Sequence, residues 1–346
     1  MVMRMLYQNK YLSVLNFLCA ILLLSAFLWS GKALSFETSA KAAYILDQTT
    51  GTVILEKNAN RPLPPASMSK LMTLYIAFEY INQGRLDLTE KLPVSEAAVK
   101  YRGSTMFLNT SDRVSVEDLL RGIIVLSGND ACVVLAEALS PDGTEEGFAK
   151  LMTKRAKKMG MLNSVFANSN GWPDPKHRMS VKDLAILANR IITDFPEYYP
   201  MFAEDTFEFD GRAAANTRNR NPILGLGIGA DGLKTGHTTE AGYGLVGSAL
   251  QEKRRVIFVV TGLRSQSVRA DEAEAIVNWA FRHFTEKKYG NANEVIGFAP
   301  VWNGDMRQVG LALSYDLDIL VPVFDDDDIN FTAKIKTPIK APLSKG

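Results

Sequence analysis

The stretch RPLPPASMSKLMT, residues 61–73, sets a hydroxyl and an amine three positions apart, Ser67 and Lys70, directly after Pro64 and Pro65. Proline is favoured at the first helical position, because its fixed φ suits the helix and its missing N–H would find no partner there. Met68, Leu71, Met72, Leu74, Tyr75, Ile76, Phe78 and Ile81 then continue without a breaker until Gly84. The spacing predicts a helix over 65–82, apolar nearly all round and therefore buried in a sizeable domain. Positions i and i+3 share a helix face, so Ser67 and Lys70 stand side by side near its amino end. Burial strips water from the lysine and lowers its pKa toward a neutral, basic amine. A capping serine and a lysine reaching for solvent account for the same residues, and S-x-x-K alone does not separate the two readings.

On the amino-terminal side of this helix, Tyr44–Leu46 and Thr52–Leu55 flank DQTTG, a strand–turn–strand signal. On the other side, residues 83–180 carry helical patterns broken by Gly and Pro: Val116–Leu126, Ala131–Leu139 and Thr144–Met159. Lys154, Arg155, Lys157 and Lys158 in the last of these read as a solvated helix face. SVKDLAILANRIITDF adds a helix capped by Ser180. GYGLVGSAL and RRVIFVVTGL are two strand-like runs joined by Gln251–Lys253, a β-hairpin, and DEAEAIVNWAFRHF is a closing helix ending near residue 285. This order predicts an α/β fold of the α+β kind. One antiparallel sheet is closed by both ends of the domain and flanked by helices, with an all-helical subdomain inserted in the middle.

The 346 residues leave room for one large domain, assigned to 36–290, and a smaller one. From about Pro300, DLDILVPVF and INFTAKIK alternate apolar and polar residues on either side of Asp325–Asp328. The aspartates read as a solvated turn, since the ligand spacing of a calcium loop is absent. The 47 residues 300–346 form a β-rich piece that is marginal as an independent core, and it reads as an incomplete domain. Residues 1–35 differ in kind: Arg4 and Lys10 precede an apolar run over Tyr11–Trp29, and Ala33-Leu34-Ser35 ends it. That is the pattern of a secretory signal peptide cleaved before Phe36, with an uncleaved membrane anchor as the competing reading. Beyond it only Cys132 remains, in the apolar run ACVVLAEAL, so no internal disulfide is available. Cys132 reads as a small buried hydrophobe. A net charge of +1 gives no global support to a nucleic-acid surface.

Two further short stretches decide the reading of Ser67 and Lys70. LSGND places Ser127 and Asn129 between two helical runs, and GLKTGHT places Lys234, Thr235 and Gly236 at the entry to the strand-rich segment. S-x-x-K, S-x-N and K-T-G in that order are the signature of penicillin-binding proteins and serine β-lactamases. AYILDQTTGTVILEKNANRPLPPASMSKLMT, GIIVLSGNDACVVLAE, NGWPDPKHRMSVKDLAILA and DGLKTGHTTEAGYGLVGSA together resemble the low-molecular-mass D-alanyl-D-alanine carboxypeptidases, over roughly residues 40–346. The resemblance implies a penicillin-binding, β-lactamase-like fold and removal of the terminal D-alanine from peptidoglycan stem pentapeptides. It also implies inhibition by β-lactams, a periplasmic location, and peripheral association with the outer face of the inner membrane. In that family a β-sandwich-like module is followed by an amphipathic helix that holds the enzyme on the membrane, and this sequence stops before such a helix. No cofactor is implied.

Acyl transfer needs a nucleophile, and a serine hydroxyl is inert until a neighbouring base takes its proton. Ser67 is the expected nucleophile and Lys70 its base, kept neutral by burial and by nearby Lys234. Ser127 is expected to relay the proton to the departing amine, and Asn129 to bind the substrate amide. Lys234 and Thr235 are expected at the free carboxylate with Arg220, whose planar fork suits it; the resemblance favours Arg220 over Arg218. The oxyanion is expected on backbone N–H groups, which the resemblance assigns to Ser67 and His237. The rival activities are a serine β-lactamase and a non-catalytic wall-binding protein. Against the first, the window 162–170, LNSVFANSN, holds no deacylating carboxylate. The run Gly227–Gly232 fits G-x-G-x-x-G, but a strand follows it, which removes the dinucleotide reading. His177, His237 and His283 lack metal-ligand spacing, and His177 reads as a structural hydrogen-bonder.

Overall fold

Apolar runs that are buried on both faces form the centre of the molecule. The computed structural model describes residues 36–212, 216–324, 329, 331–332 and 334–342. The expected signal segment and the four aspartates lie outside the described residues. Strands β1 (Ala42–Asp47) and β2 (Thr52–Lys57) form the amino-terminal hairpin, with Ile45 opposite Leu55. The expected helix then starts later than its pattern suggests. Ala66–Ser69 is a 3₁₀ turn, and α1 runs from Lys70 to Asn82 with Lys70–Phe78 buried.

The helical insertion follows. Two short strands, β3 (Lys91–Pro93) and β4 (Arg113–Ser115), pair around α2 (Glu96–Val99). The run expected as one helix over 116–126 is divided into α3 (Val116–Arg121) and a π turn, Gly122–Leu126. Helices α4 (Asn129–Leu139), α5 (Glu145–Lys158) and α6 (Val181–Asp194) complete the insertion. Thr144 and Ser180 cap α5 and α6 as their sequences require, each accepting the backbone N–H three residues on. Of the basic run in α5, Arg155 leaves the solvated face to pair with Glu79 of α1 at 2.6 Å.

Strands β5 (Ala230–Thr238), β6 (Gly242–Gln251) and β7 (Arg254–Leu263) return to the sheet, whose order is β2-β1-β7-β6-β5, antiparallel throughout. Successive side chains of a strand face opposite ways. Ile257 and Val259 of β7 join the apolar cluster that holds α1, α4 and α6. Val256, Phe258 and Val260 point to the other face, and they too are fully buried. Helix α7 (Gln266–His283), whose Ala273, Ile276, Val277 and Ala280 are buried, packs on β6 and β7. This is the predicted sheet between helices with a helical insertion.

The β-rich segment begins at Phe284, ahead of the compositional change at Pro300. It contains β8 (Phe284–Gly290), β9 (Val295–Trp302), β10 (Gln308–Ala312), β11 (Leu317–Pro322) and β12 (Ile339–Lys340). β8 pairs with β11, and β9 sits between β10 and β12. DLDILVPVF thus supplies a strand, whereas the described residues of INFTAKIK are in none.

Candidate active site

The turn that carries Ser67 is held in a tight backbone vice. Ala66 sits at φ 49°, in the left-handed region. A Cβ added at Gly171 would lie 1.9 Å from the Ala66 carbonyl oxygen, and one at Gly236 would lie 2.9 Å from that of Pro65. Glycine is needed at both positions because two other segments pass directly against the turn. Gly236 is the last residue of K-T-G, so this motif brings β5 to the Ser67 turn as well as supplying a cation.

Lys70 is fully buried, and its Nζ makes three contacts: Ser67 Oγ at 2.8 Å, Asn129 Oδ1 at 2.8 Å and the Asn170 carbonyl at 2.6 Å. Asn129 is oriented in turn, since its Nδ2 donates to the Arg102 carbonyl at 2.7 Å. Burial lowers the Lys70 pKa to about 8, and the positive charge of Arg220 pushes in the same direction. Arg220 thus joins the expected Lys234 as a cation facing Lys70. Lys234 is itself buried, and desolvation with the charges of Lys70 and Arg220 holds it well below the usual lysine range. Its Nζ donates to Ser127 Oγ at 3.0 Å. Ser127 adopts φ 63°, left-handed for a non-glycine residue, directly after the π turn. Both are local costs of the kind that gather at functional sites.

Ser67 lines two cavities. One, of about 270 Å³, is also lined by Ser127, Arg220, Thr235, Gly236, His237 and Arg269. Among the described residues, the Arg220 guanidinium donates to neutral groups: Ser104 Oγ at 2.6 Å, the Leu126 carbonyl at 2.9 Å and Asn216 Oδ1 at 2.9 Å. Arg269 of α7 is buried, with its pKa lowered to about 10 by desolvation and its Nε unpartnered. The other cavity, of about 500 Å³, is lined by Asn129, Asn170, Trp172, His237 and Glu240. The structure therefore gathers Ser67, Lys70, Ser127, Asn129, Lys234, Thr235, Gly236, His237 and Arg220 around one point.

The other histidines and the cysteine stand apart from this cluster, whereas the His237 ring is held at the site by its neighbour. His177 is buried, its Nδ1 accepts the Ala167 N–H at 3.5 Å, and desolvation lowers its pKa to about 4. His237 stacks on Tyr243 with ring centroids 3.9 Å apart, and His283 lies at the end of α7. Cys132 is buried, which raises its thiol pKa to about 12. Four contributors escaped the sequence reading: Asn170, Asp130, Ser104 and Arg269. The buried Asp130 carboxylate accepts the N–H groups of Met106, Leu108 and Ala131, at 2.9–3.2 Å, and so pins the segment beside Ser104. Its position directly after S-x-N was the available signal.

A serine hydroxyl 2.8 Å from the amine of a buried lysine, with S-x-N and K-T-G residues around it, is the arrangement of a serine penicillin-binding protein. A D-alanyl-D-alanine carboxypeptidase family model matches residues 30–265, and the C-terminal domain of penicillin-binding protein 5 matches residues 284–346. The chain belongs to the D-alanyl-D-alanine carboxypeptidase family. It is 35% identical to D-alanyl-D-alanine carboxypeptidase DacC of Escherichia coli (strain K12), over 90% of this chain and 78% of that protein. Against DacA of Haemophilus influenzae the identity is 34%, over 97% and 87%. The fold is similar to penicillin-binding protein 5 from Haemophilus influenzae, with a TM-score of 0.81 at 34% identity, covering 90% and 91% of the two chains. It is also similar to penicillin-binding protein D2 from Listeria monocytogenes in the ampicillin-bound form, with a TM-score of 0.64 at 31% identity, covering 71% and 99%.

Proposed function

We propose that this chain removes the terminal D-alanine of peptidoglycan stem pentapeptides through an acyl-enzyme on Ser67, and that β-lactams acylate the same oxygen. The observation that carries the reading is the fully buried Lys70 Nζ, 2.8 Å from Ser67 Oγ, with its pKa lowered to about 8. A neutral amine has two N–H donors and one lone pair. Asn129 Oδ1 and the Asn170 carbonyl are pure acceptors and take the two N–H groups. The lone pair is then left for the proton of Ser67.

Lys70 accepts that proton as Oγ attacks the carbonyl between the two D-alanines. The backbone N–H groups of Ser67 and His237 receive the negative charge that develops on the carbonyl oxygen. The C–N bond breaks, and the departing amine takes a proton through Ser127, whose hydroxyl is polarised by Lys234. Asn129 binds the substrate amide. The carboxylate of the leaving D-alanine sits in the smaller cavity on Thr235 and Arg220, with Arg269 as a second guanidinium and with the Lys234 amine behind Ser127. Water then attacks the ester, with Lys70 again as base, and releases the shortened peptide. The test is release of free D-alanine from a stem pentapeptide. Release that stops on prior treatment with penicillin supports the reading; no release, or release untouched by penicillin, contradicts it.

For location we propose export to the periplasm, supported by the charge and apolarity pattern of residues 1–35. N-terminal sequencing of exported protein is expected to begin at or near Phe36. Among the described residues, no helix is long and apolar enough to cross a membrane.

A further inference from the structure

We infer that Glu145 is a positioning residue for the Ser67–Lys70 pair, because each of its carboxylate oxygens secures one of the two acceptors that orient the lysine. The inference rests on Lys70 acting as the base. Glu145 is the first residue of α5. Its Oε1 accepts from Ser169 twice, from the backbone N–H at 3.0 Å and from Oγ at 2.6 Å. The next residue, Asn170, supplies the carbonyl that holds Lys70, and Thr73 Oγ1 closes the segment onto α1 by donating to the Ser169 carbonyl at 2.6 Å. Glu145 Oε2 accepts from the Tyr101 hydroxyl at 2.7 Å. The residue after Tyr101 is Arg102, whose carbonyl fixes the Asn129 amide and so aims its Oδ1 at Lys70. One carboxylate thus sets the position of both acceptors, and through them the direction of the lone pair.

The same contacts exclude a hydrolytic role. Both oxygens are engaged, and Glu145 lines neither cavity that meets Ser67. It acts on Lys70 through the segment and through its charge. The charged and titratable groups that face Lys70 are Asp130 and Cys132 of α4, Glu145 of α5, Arg220 before β5, Lys234 of β5 and His177. The carboxylate of Glu145 favours the ammonium form. Removing its charge lowers the lysine pKa and moves the acid limb of acylation to lower pH.

The test is the rate of acylation of the full chain by a fluorescent penicillin between pH 5.5 and 9.5, with melting temperatures measured alongside. Glu145→Ala lets the segment shift and is expected to lower the plateau roughly 10- to 100-fold. Glu145→Gln keeps the shape and loses the charge. It is expected to lower the plateau less and to move the acid limb to lower pH, and it carries the test if the alanine variant does not fold. An unmoved acid limb in the folded glutamine variant overturns the inference, whatever happens to the plateau, since a purely structural role leaves the limb in place. If Lys70→Arg acylates at the wild-type rate, the reading of Lys70 as base fails instead.

Discussion

Helix α7 separates two regions that use similar apolar alternation to opposite effect. Before it, β6 and β7 lie between helices, and Val246 and Val256–Val260 have no exposure. After it, β9 presents Val295, Ile296, Phe298 and Trp302 with more than half of each residue exposed. The difference is the presence of a second layer on each face. A region packed on both faces can hold a lysine out of water and keep it basic, because every displacement meets another buried group. A sheet face open to solvent has no such resistance. Substitutions are therefore expected to have large effects at the packed region and small ones at the open face.

The largest expected effect is at Lys70. Lys70→Arg keeps the charge but cannot give it up at working pH. Acylation by penicillin is expected to fall roughly 10²- to 10⁴-fold, and a rate near wild type would make Lys70 an electrostatic prop only. Next is the link between the two regions. Arg254 donates from Nε to the fully buried Asp47 at 2.6 Å, and to the carbonyls of Phe284 and Ala280 at 2.6 and 2.9 Å. Arg254→Ala leaves that carboxylate buried and unpaired, so unfolding should show a loss of about 3–5 kcal/mol. A loss below 1 kcal/mol would mean that water replaces the arginine.

The pH dependence follows from the lowered lysine. Below its pKa of about 8, the neutral form of Lys70 grows with pH, so acylation should rise about tenfold per unit and level off above it. A flat profile between pH 6 and 8 would contradict a base of this pKa. The smallest effect belongs to the open face. Phe298→Ser is expected to change stability by no more than about 0.5 kcal/mol and to leave penicillin acylation unchanged. A larger loss of stability would show that this face is covered in solution.

The site was legible where chemistry resides in side chains at fixed spacing. Ser67, Lys70, Ser127, Asn129 and the K-T-G residues carry their roles in their identity, and the fold follows from the order of their elements. Asn170 was not legible as a site residue, because its contribution is a carbonyl that any residue offers. Arg269 lies ahead of the stretch DEAEAIVNWAFRHF that signals the closing helix, and only tertiary packing turns it into a cavity wall. The late start of α1 has a similar cause. The apolar pattern continues through Ala66–Ser69, but the backbone there is a 3₁₀ turn packed closely against Gly171 and Gly236, a tertiary contact that the pattern does not carry.

Adduct mapping tests most directly whether Ser67 Oγ is acylated beside a buried base. The full chain is incubated with benzylpenicillin, weighed intact and digested to locate the modified peptide. One penicilloyl group is expected on Ser67, and none on a Ser67→Ala variant whose melting temperature is unchanged. An adduct on another residue, or one that persists in the alanine variant, would contradict it.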